Sequence, residues 1–384
     1  MDATGVLLLM VPALLAVVLG ALFIPRILLV AYRKRLFDPV SDRKLHTRVI
    51  PRLGGISFVP IQCCLFALTV VLVFKFGIGS WGVQSWALIP HFALLFCGLL
   101  VLYMLGLGDD LIGISFKWKF FFQVVVASFF PLSGLWINDF YGLFSIESVP
   151  AWFGMPLTVF IVVLIINAIN LMDGLDGLCA GLVGIGCLVF GLLFYFAGAY
   201  VHALFAFITT GAVIPFFYYN VFGVGHKKRK IFMGDIGSTT LGYSIAFLAI
   251  SFIMNNSFIK PYYNNSIVVA YSVLLLPVLD VARVMFIRWR SGKPLYCADQ
   301  NHLHHLLLRS GMPRKGVMLF MFAINLFYII FNVLAVQVMN NNLILILNLL
   351  MWGGFYFVFS KIDKHQMVEQ EEVGVLDPGI KETR

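Results

Sequence analysis

The stretch GVLLLMVPALLAVVLGALFIPRILLVAYRKRLFDPVSDRKLHTRVIPR, residues 5–52, decides how the chain is read. Residues 5–32 carry a single charge, Arg26. A helix of about 20 mostly apolar residues crosses the hydrocarbon of a bilayer, so this run is long enough to span. It resembles the apolar part of a secretion signal, but it is longer and lacks a small-residue cleavage site, so it is expected to remain. Residues 33–52 then hold seven Lys and Arg. An oily span that ends in a basic loop is the pattern that keeps the loop in the cytoplasm.

The rest of the chain repeats the pattern. Of 384 residues, 61% are hydrophobic and 12% charged, where soluble chains average about a quarter charged. About eleven apolar runs follow one another, near 5–32, 56–76, 86–107, 119–137, 151–169, 178–198, 200–219, 232–254, 267–287, 317–338 and 342–360. Basic residues crowd alternate loops: Lys117 and Lys119, Lys227 to Lys230, and Arg288 through Lys315, whereas the opposite loops hold only Lys75 and Lys260. The expected fold is therefore an all-α polytopic membrane protein of about eleven transmembrane helices, N-terminus outside and C-terminus cytoplasmic. Residues 1–360 form the membrane domain, and the polar tail 361–384 is expected to be disordered. The net charge of +9 lies on one membrane side and implies no nucleic acid. The six Cys lie mostly in apolar runs without metal-ligand spacing and read as small hydrophobes.

Five polar stretches interrupt the oil: SDRKLHTRVIPRLGG (41–55), GDDLIGISFKWK (108–119), NLMDGLDGLCAG (170–181), MGDIGSTTLG (233–242) and ADQNHLHH (298–305). Each alone has an innocent reading as a solvated helix end, a turn, a lipid anchor or a loop. The topology, drawn from basic residues, nevertheless puts all five at the same cytoplasmic end. Asp109 and Asp110, if helical, point about 100° apart, so only one aims fully into a given pocket. Asn170, Asp173 and Asp176 are three apart and are expected on one helix face, with Gly174 and Gly177 admitting close approach. Asp235 lies between Gly234 and Gly237. Five carboxylates and an amide are the hard oxygen donors that Mg²⁺ prefers, with Mn²⁺ as a substitute. Lys119, Lys227, Lys228, Arg229, Lys230, Arg288, Arg290 and Lys293, with the histidines, add cations for an anion such as a diphosphate. The HLHH group lacks the second motif of a zinc site.

Together NLMDGLDGLCAG, FMGDIGSTTLGY, DDLIGISFKWK and RWRSGKPLYCADQNHLHHLLLRSG resemble the polyprenyl-phosphate N-acetylhexosamine-1-phosphate transferases, the WecA/MraY family. The likeness runs from about Arg33 to Gly316 and is greatest to the branch that transfers GlcNAc-1-phosphate. Cys179 stands where the family commonly has Ala, and Ala298 where Pro is frequent. The resemblance implies a UDP-N-acetylhexosamine donor, a polyprenyl (undecaprenyl) phosphate acceptor in the membrane lipid, and released UMP. It implies Mg²⁺ held by Asp235 and Asn170, and catalytic roles for Asp109, Asp110, Asp173 and Asp235. It also implies substrate contacts from Lys119, Asn170, Asp176, His302, His304 and His305. The implied place is the bacterial inner membrane with the site facing the cytoplasm. Sugar identity, with UDP-MurNAc-pentapeptide and UDP-GalNAc as alternatives, stays open, as does oligomeric state, a homodimer included. A secondary transporter is the rival class, but it would set its ionisable residues near the bilayer midplane on broken helices.

Overall fold

In lipid a backbone N–H or C=O finds no water, so apolar runs of this kind close their hydrogen bonds internally as helices. The computed structural model describes residues 3–34, 36, 50–77, 88–223, 229–256, 266–292 and 302–376, with helical side chains described to Ile362. Its helices are α1 (Ala3–Lys34), α2 (Phe58–Phe76), α3 (Ile89–Ile112), α4 (Phe116–Leu132), α5 (Ala151–Leu171) and α6 (Leu178–Phe196). There follow α7 (Tyr200–Val221), α8 (Gly234–Ile253), α9 (Ser266–Arg290), the short α10 (Leu303–Arg309), α11 (Arg314–Ala335) and α12 (Asn341–Leu376).

Ten of the described helices are long and apolar enough to cross a membrane. The run read as 119–137 falls on α4, which at 17 residues is shorter than those ten. Yet it too runs the length of the bundle: Lys119 near its start reaches Asp235, and Asn138 just beyond its end meets Asn255 at the other end of α8. The helix stops short of residue 137 because Ser133 and Gly134 (φ +89) turn the chain out of it just after Pro131. The boundary read near Gly198 holds, with Gly198 at φ +75 between α6 and α7. Helix α12 runs past residue 360, where the sequence reading ended the last span.

Helix α8 is the central post. Every residue in it except Asp235 is buried, and α2, α3, α5, α6, α7 and α9 pack around it. Its small and hydroxylic residues suit that place. Small side chains let neighbouring helices approach closely, and the hydroxyls donate back to carbonyls four residues earlier, Thr239 to Asp235 at 2.5 Å and Ser244 to Thr240 at 2.9 Å. Gln62 of α2 bridges α7 and α8 by donating to Thr209 (2.9 Å) and Ser244 (3.2 Å).

The two ends of the bundle differ. At one end, Asn138 donates to the Asn255 carbonyl at 2.8 Å, Tyr141 Oη to the Ile253 carbonyl at 2.9 Å, and Asn341 to the Tyr141 carbonyl at 2.6 Å. The opposite end of α8, about 30 Å away, carries the acidic motifs. There α3 crosses α8 so closely that a Cβ on Gly106 would lie 2.5 Å from Ile236 Cα. The obstacle is backbone, so Gly106→Val must push the two helices apart at a cost of about 1–3 kcal/mol. The expected result is a fall of a few degrees in the unfolding midpoint in detergent, followed by tryptophan fluorescence. An unchanged midpoint would show that the crossing has slack.

Candidate active site

The site is built around the first turn of α8. Gly234 has φ +75, and a Cβ there would sit 2.2 Å from the Arg52 carbonyl oxygen and 2.4 Å from Asp110 Oδ2, so only glycine fits. The chain entering α8 pairs with the end of the first basic loop. Phe232 N donates to the Pro51 carbonyl at 2.8 Å, and Gly54 N and Gly55 N donate to the Phe232 and Met233 carbonyls at 2.9 Å. PRLGG and FMGD, distant in sequence, are thus adjacent. Asp110 of α3 accepts from Asp235 N (3.0 Å) and Ile236 N (3.2 Å). These are opening N–H groups of α8 that have no partner within the helix, and a carboxylate there also answers the positive end of its dipole. Both oxygens of Asp110 are therefore engaged in holding α8.

Asp109 points elsewhere. Its Oδ1 accepts from Ile114 N at 2.7 Å, and its Oδ2 meets Lys119 Nζ at 2.5 Å. The same ammonium reaches Asp235 Oδ2 at 2.7 Å. Asn170, from the last turn of α5, donates to Asp235 Oδ1 at 3.3 Å and to Ser238 Oγ at 2.8 Å. Carboxylate oxygens of Asp109, Asp110 and Asp235 all lie within 4.8 Å of one another. Three like charges at that spacing repel strongly unless a cation lies among them; Lys119 supplies one.

Asn170, Asp173 and Asp176 do not share a helix face, contrary to what their spacing suggests. Helix α5 ends at Leu171, a 3-10 turn covers Met172–Gly174, and Gly177 (φ +76) starts α6. The group converges through the turn instead. Asp173 feels the charges of Asp235, Arg52, Asp110 and Asp176, and Asp176 pairs with Lys230 at 2.5 Å. Asn220, which the sequence reading passed over, clamps this turn from α7: its Oδ1 accepts from Gly177 N at 2.5 Å and its Nδ2 donates to the Ile231 carbonyl at 2.8 Å.

The histidines close one side. His302 and His304 are 3% and 1% exposed, with rings parallel within 8° at 5.8 Å, and His305 packs on His304 at 4.2 Å. A Cβ on Gly174 would lie 2.9 Å from His304 Nε2, so α10 seats directly against the Asp173–Asp176 turn. Burial, with His305 alongside, pushes the His304 imidazole down to about 3, which keeps it neutral near pH 7. His302 Nδ1 meets Asp280 Oδ2 at 2.8 Å. Asp280, fully buried in α9, was also missed, although a lone carboxylate inside an apolar helix is itself a signal. Arg229 and Lys230 are described, whereas Lys227, Lys228 and Lys293 lie outside the described residues. Cys179 is buried with its sulfur 3.7 Å from that of Met233, packing beneath the site.

Residues 92–253, which include Asp109, Lys119, Asn170, Asp173, Asp176 and Asp235, match the family model described as Glycosyl transferase family 4. The undecaprenyl-phosphate alpha-N-acetylglucosaminyl 1-phosphate transferase of Yersinia pestis is 31% identical over 289 residues, 74% of this chain and 73% of the relative. This chain belongs to glycosyl transferase family 4. Two further relatives agree with that placement. The Escherichia coli (strain K12) protein of the same description is also 31% identical, over 74% of this chain and 72% of its own. A probable undecaprenyl-phosphate N-acetylglucosaminyl 1-phosphate transferase of Bacillus subtilis is 30% identical over 76% of this chain and 75% of its own. In this family 4 chain, the matched segment runs from α3 through α8, the part that supplies the acids and Lys119. The basic loop and the histidines lie beyond it.

Proposed function

We propose that this family 4 chain is a phosphoglycosyl transferase that moves an N-acetylhexosamine-1-phosphate, GlcNAc-1-phosphate first among them, from a UDP-sugar to undecaprenyl phosphate, releasing UMP. One observation carries the reading: Asp109, Lys119, Asn170 and Asp235, from four different helices, meet at one end of the membrane-crossing bundle. A polyprenyl tail stays in lipid while a UDP-sugar arrives from water, so the reacting phosphates must meet at such an end. The crowding of basic residues there supports the cytoplasmic face of a bacterial inner membrane.

The donor set suits a magnesium ion. The acids offer only hard oxygens, and Asp235 would hold it, with Asp109 close by and Asn170 joining once its amide, which now donates to Asp235, turns its carbonyl to the ion. When bound, Mg²⁺ would neutralise charge on the diphosphate and on the departing UMP. The protein's own groups account for the rest by positioning and electrostatics. An oxygen of the acceptor phosphate attacks the β-phosphorus, which bears the sugar, and the bond to the UMP oxygen breaks. A phosphate monoester has its second pKa near 6 and arrives largely as the dianion, so Asp109 orients the acceptor and need not deprotonate it. Lys119, already between Asp109 and Asp235, turns its ammonium to the phosphoryl oxygens. Asp110 keeps the α8 N-terminus, and with it Asp235, in place.

The test is UMP formation by the purified chain with Mg²⁺, undecaprenyl phosphate and separately UDP-GlcNAc, UDP-GalNAc and UDP-MurNAc-pentapeptide. UMP is expected with UDP-GlcNAc and only when the lipid phosphate is present. No UMP from any pairing would overturn the reading.

A further inference from the structure

Asp280 is the one fully buried carboxylate among the described residues, and its partners define what it does. It lies in the apolar run SVLLLPVLDVARVMF of α9 (272–286). Oδ1 accepts from the Arg283 guanidinium at 2.9 Å and from Leu303 N at 2.9 Å, while Oδ2 meets His302 Nδ1 at 2.8 Å. Arg283 is itself held, its guanidinium 4.6 Å from the Tyr356 ring of α12. The carboxylate is thus charge-balanced by Arg283 and has no need of a protonated imidazole. An ionised carboxylate only accepts hydrogen bonds, so the ring nitrogen facing it carries the proton. The other nitrogen, Nε2, is then an acceptor.

That acceptor has nothing to accept. His302 Nε2 and both nitrogens of His304 are buried without a hydrogen-bond partner among the described residues. Buried polar atoms are nearly always paired, and unpaired ones mark a missing ligand or water. His304 Nε2 lies against Gly174 of the Asp173–Asp176 turn, and the His302 ring is stacked on that of His304.

We propose that Asp280 is a positioning residue that fixes His302 as the Nδ1–H tautomer, so that Nε2 accepts a hydrogen bond from a hydroxyl or amide N–H of the sugar nucleotide. The inference rests on the donor being a UDP-sugar. Asp280 touches no substrate; it acts through the ring. In Asp280→Asn the amide can accept from Leu303 N and Arg283 and present its NH₂ to His302, which reverses the tautomer and sets an N–H of the ring against the substrate's hydrogen. A side chain that merely anchored α10 would have no such effect on the ring.

Two measurements test this. In the full-length chain with ¹⁵N-labelled histidine, the signal lost in His302→Gln identifies the ring. It is expected as the Nδ1–H tautomer in the wild type and as Nε2–H in Asp280→Asn. An Nε2–H ring in the wild type would overturn the proposal whether or not any variant folds or any UMP is made. In UMP assays, Asp280→Asn is expected to raise KM for the UDP-sugar about tenfold, the worth of one buried hydrogen bond, with a smaller fall in kcat. In the His302→Gln background the same change should add less than about twofold. Additive losses in kcat and KM would instead make Asp280 an anchor for α10 and sink the positioning role. A wild-type chain that makes no UMP at all would count against the transferase reading, and the ring tautomer would still decide the Asp280–His302 pairing.

Discussion

Asp235→Ala is expected to lower the rate of UMP formation on the order of a thousandfold, the scale on which a preorganised electrostatic contact at a reacting phosphate acts. Asp235 holds Lys119 at 2.7 Å and Asn170 at 3.3 Å, so one truncation frees the Lys119 ammonium from α8 and leaves Asn170 only its bond to Ser238. The protein should still fold and insert. Asp235 is the only residue of α8 that is not buried, and the backbone N–H groups that Asp110 accepts from remain. The measurement is initial rate at saturating undecaprenyl phosphate, beside an unfolding midpoint and gel-filtration profile in detergent. Near-wild-type transfer by Asp235→Ala would remove the role assigned to it.

Lys119→Met should act almost as strongly, by about a hundredfold, and for a different reason. Its ammonium joins two carboxylates that otherwise face one another, and methionine keeps the length of the stem while deleting the charge. Without it, Asp109 and Asp235 repel each other and the donor diphosphate loses a cation. The loss should appear in both kcat and the KM for UDP-sugar. Lys119→Arg, which keeps the charge but not the compact head, should recover part of the rate. Equal activity in all three forms would leave Lys119 as a bystander to the acids.

Much of this site was legible because charged residues in so oily a chain can only gather where water reaches. The acids at 109, 110, 173, 176 and 235 fell at one end once the basic loops fixed which end each span faced, and the structure joins Asp109, Asp110 and Asp235. What the spacing did not convey was the backbone between them. Three-residue intervals suggest a helix face, but Gly174 and Gly177 let the chain leave the helix after Leu171, and Asp176 turns to Lys230. Asp109 and Asp110 look equivalent as letters; only the arrival of α8, far along the chain, makes one a cap and the other a partner of Lys119. Asn220 and Asp280 were passed over because each is a single polar residue in an apolar run. Their partners, Gly177 and Ile231 for one and His302 and Leu303 for the other, belong to different elements. The end of α4 was placed too late because hydropathy carries on past Leu132 while the helix does not.

The burial of α8 has a bearing on how the protein is made. It is the least apolar of the ten crossing helices and the most completely enclosed, and five of the helices around it, α2, α3, α5, α6 and α7, leave the ribosome before it does. A segment so rich in hydroxyls and glycine gains little from bare lipid, but it gains a great deal from a slot already formed by its elders. Biogenesis and chemistry thus share one event: the post that carries Asp235 slides home, and the acids meet for the first time.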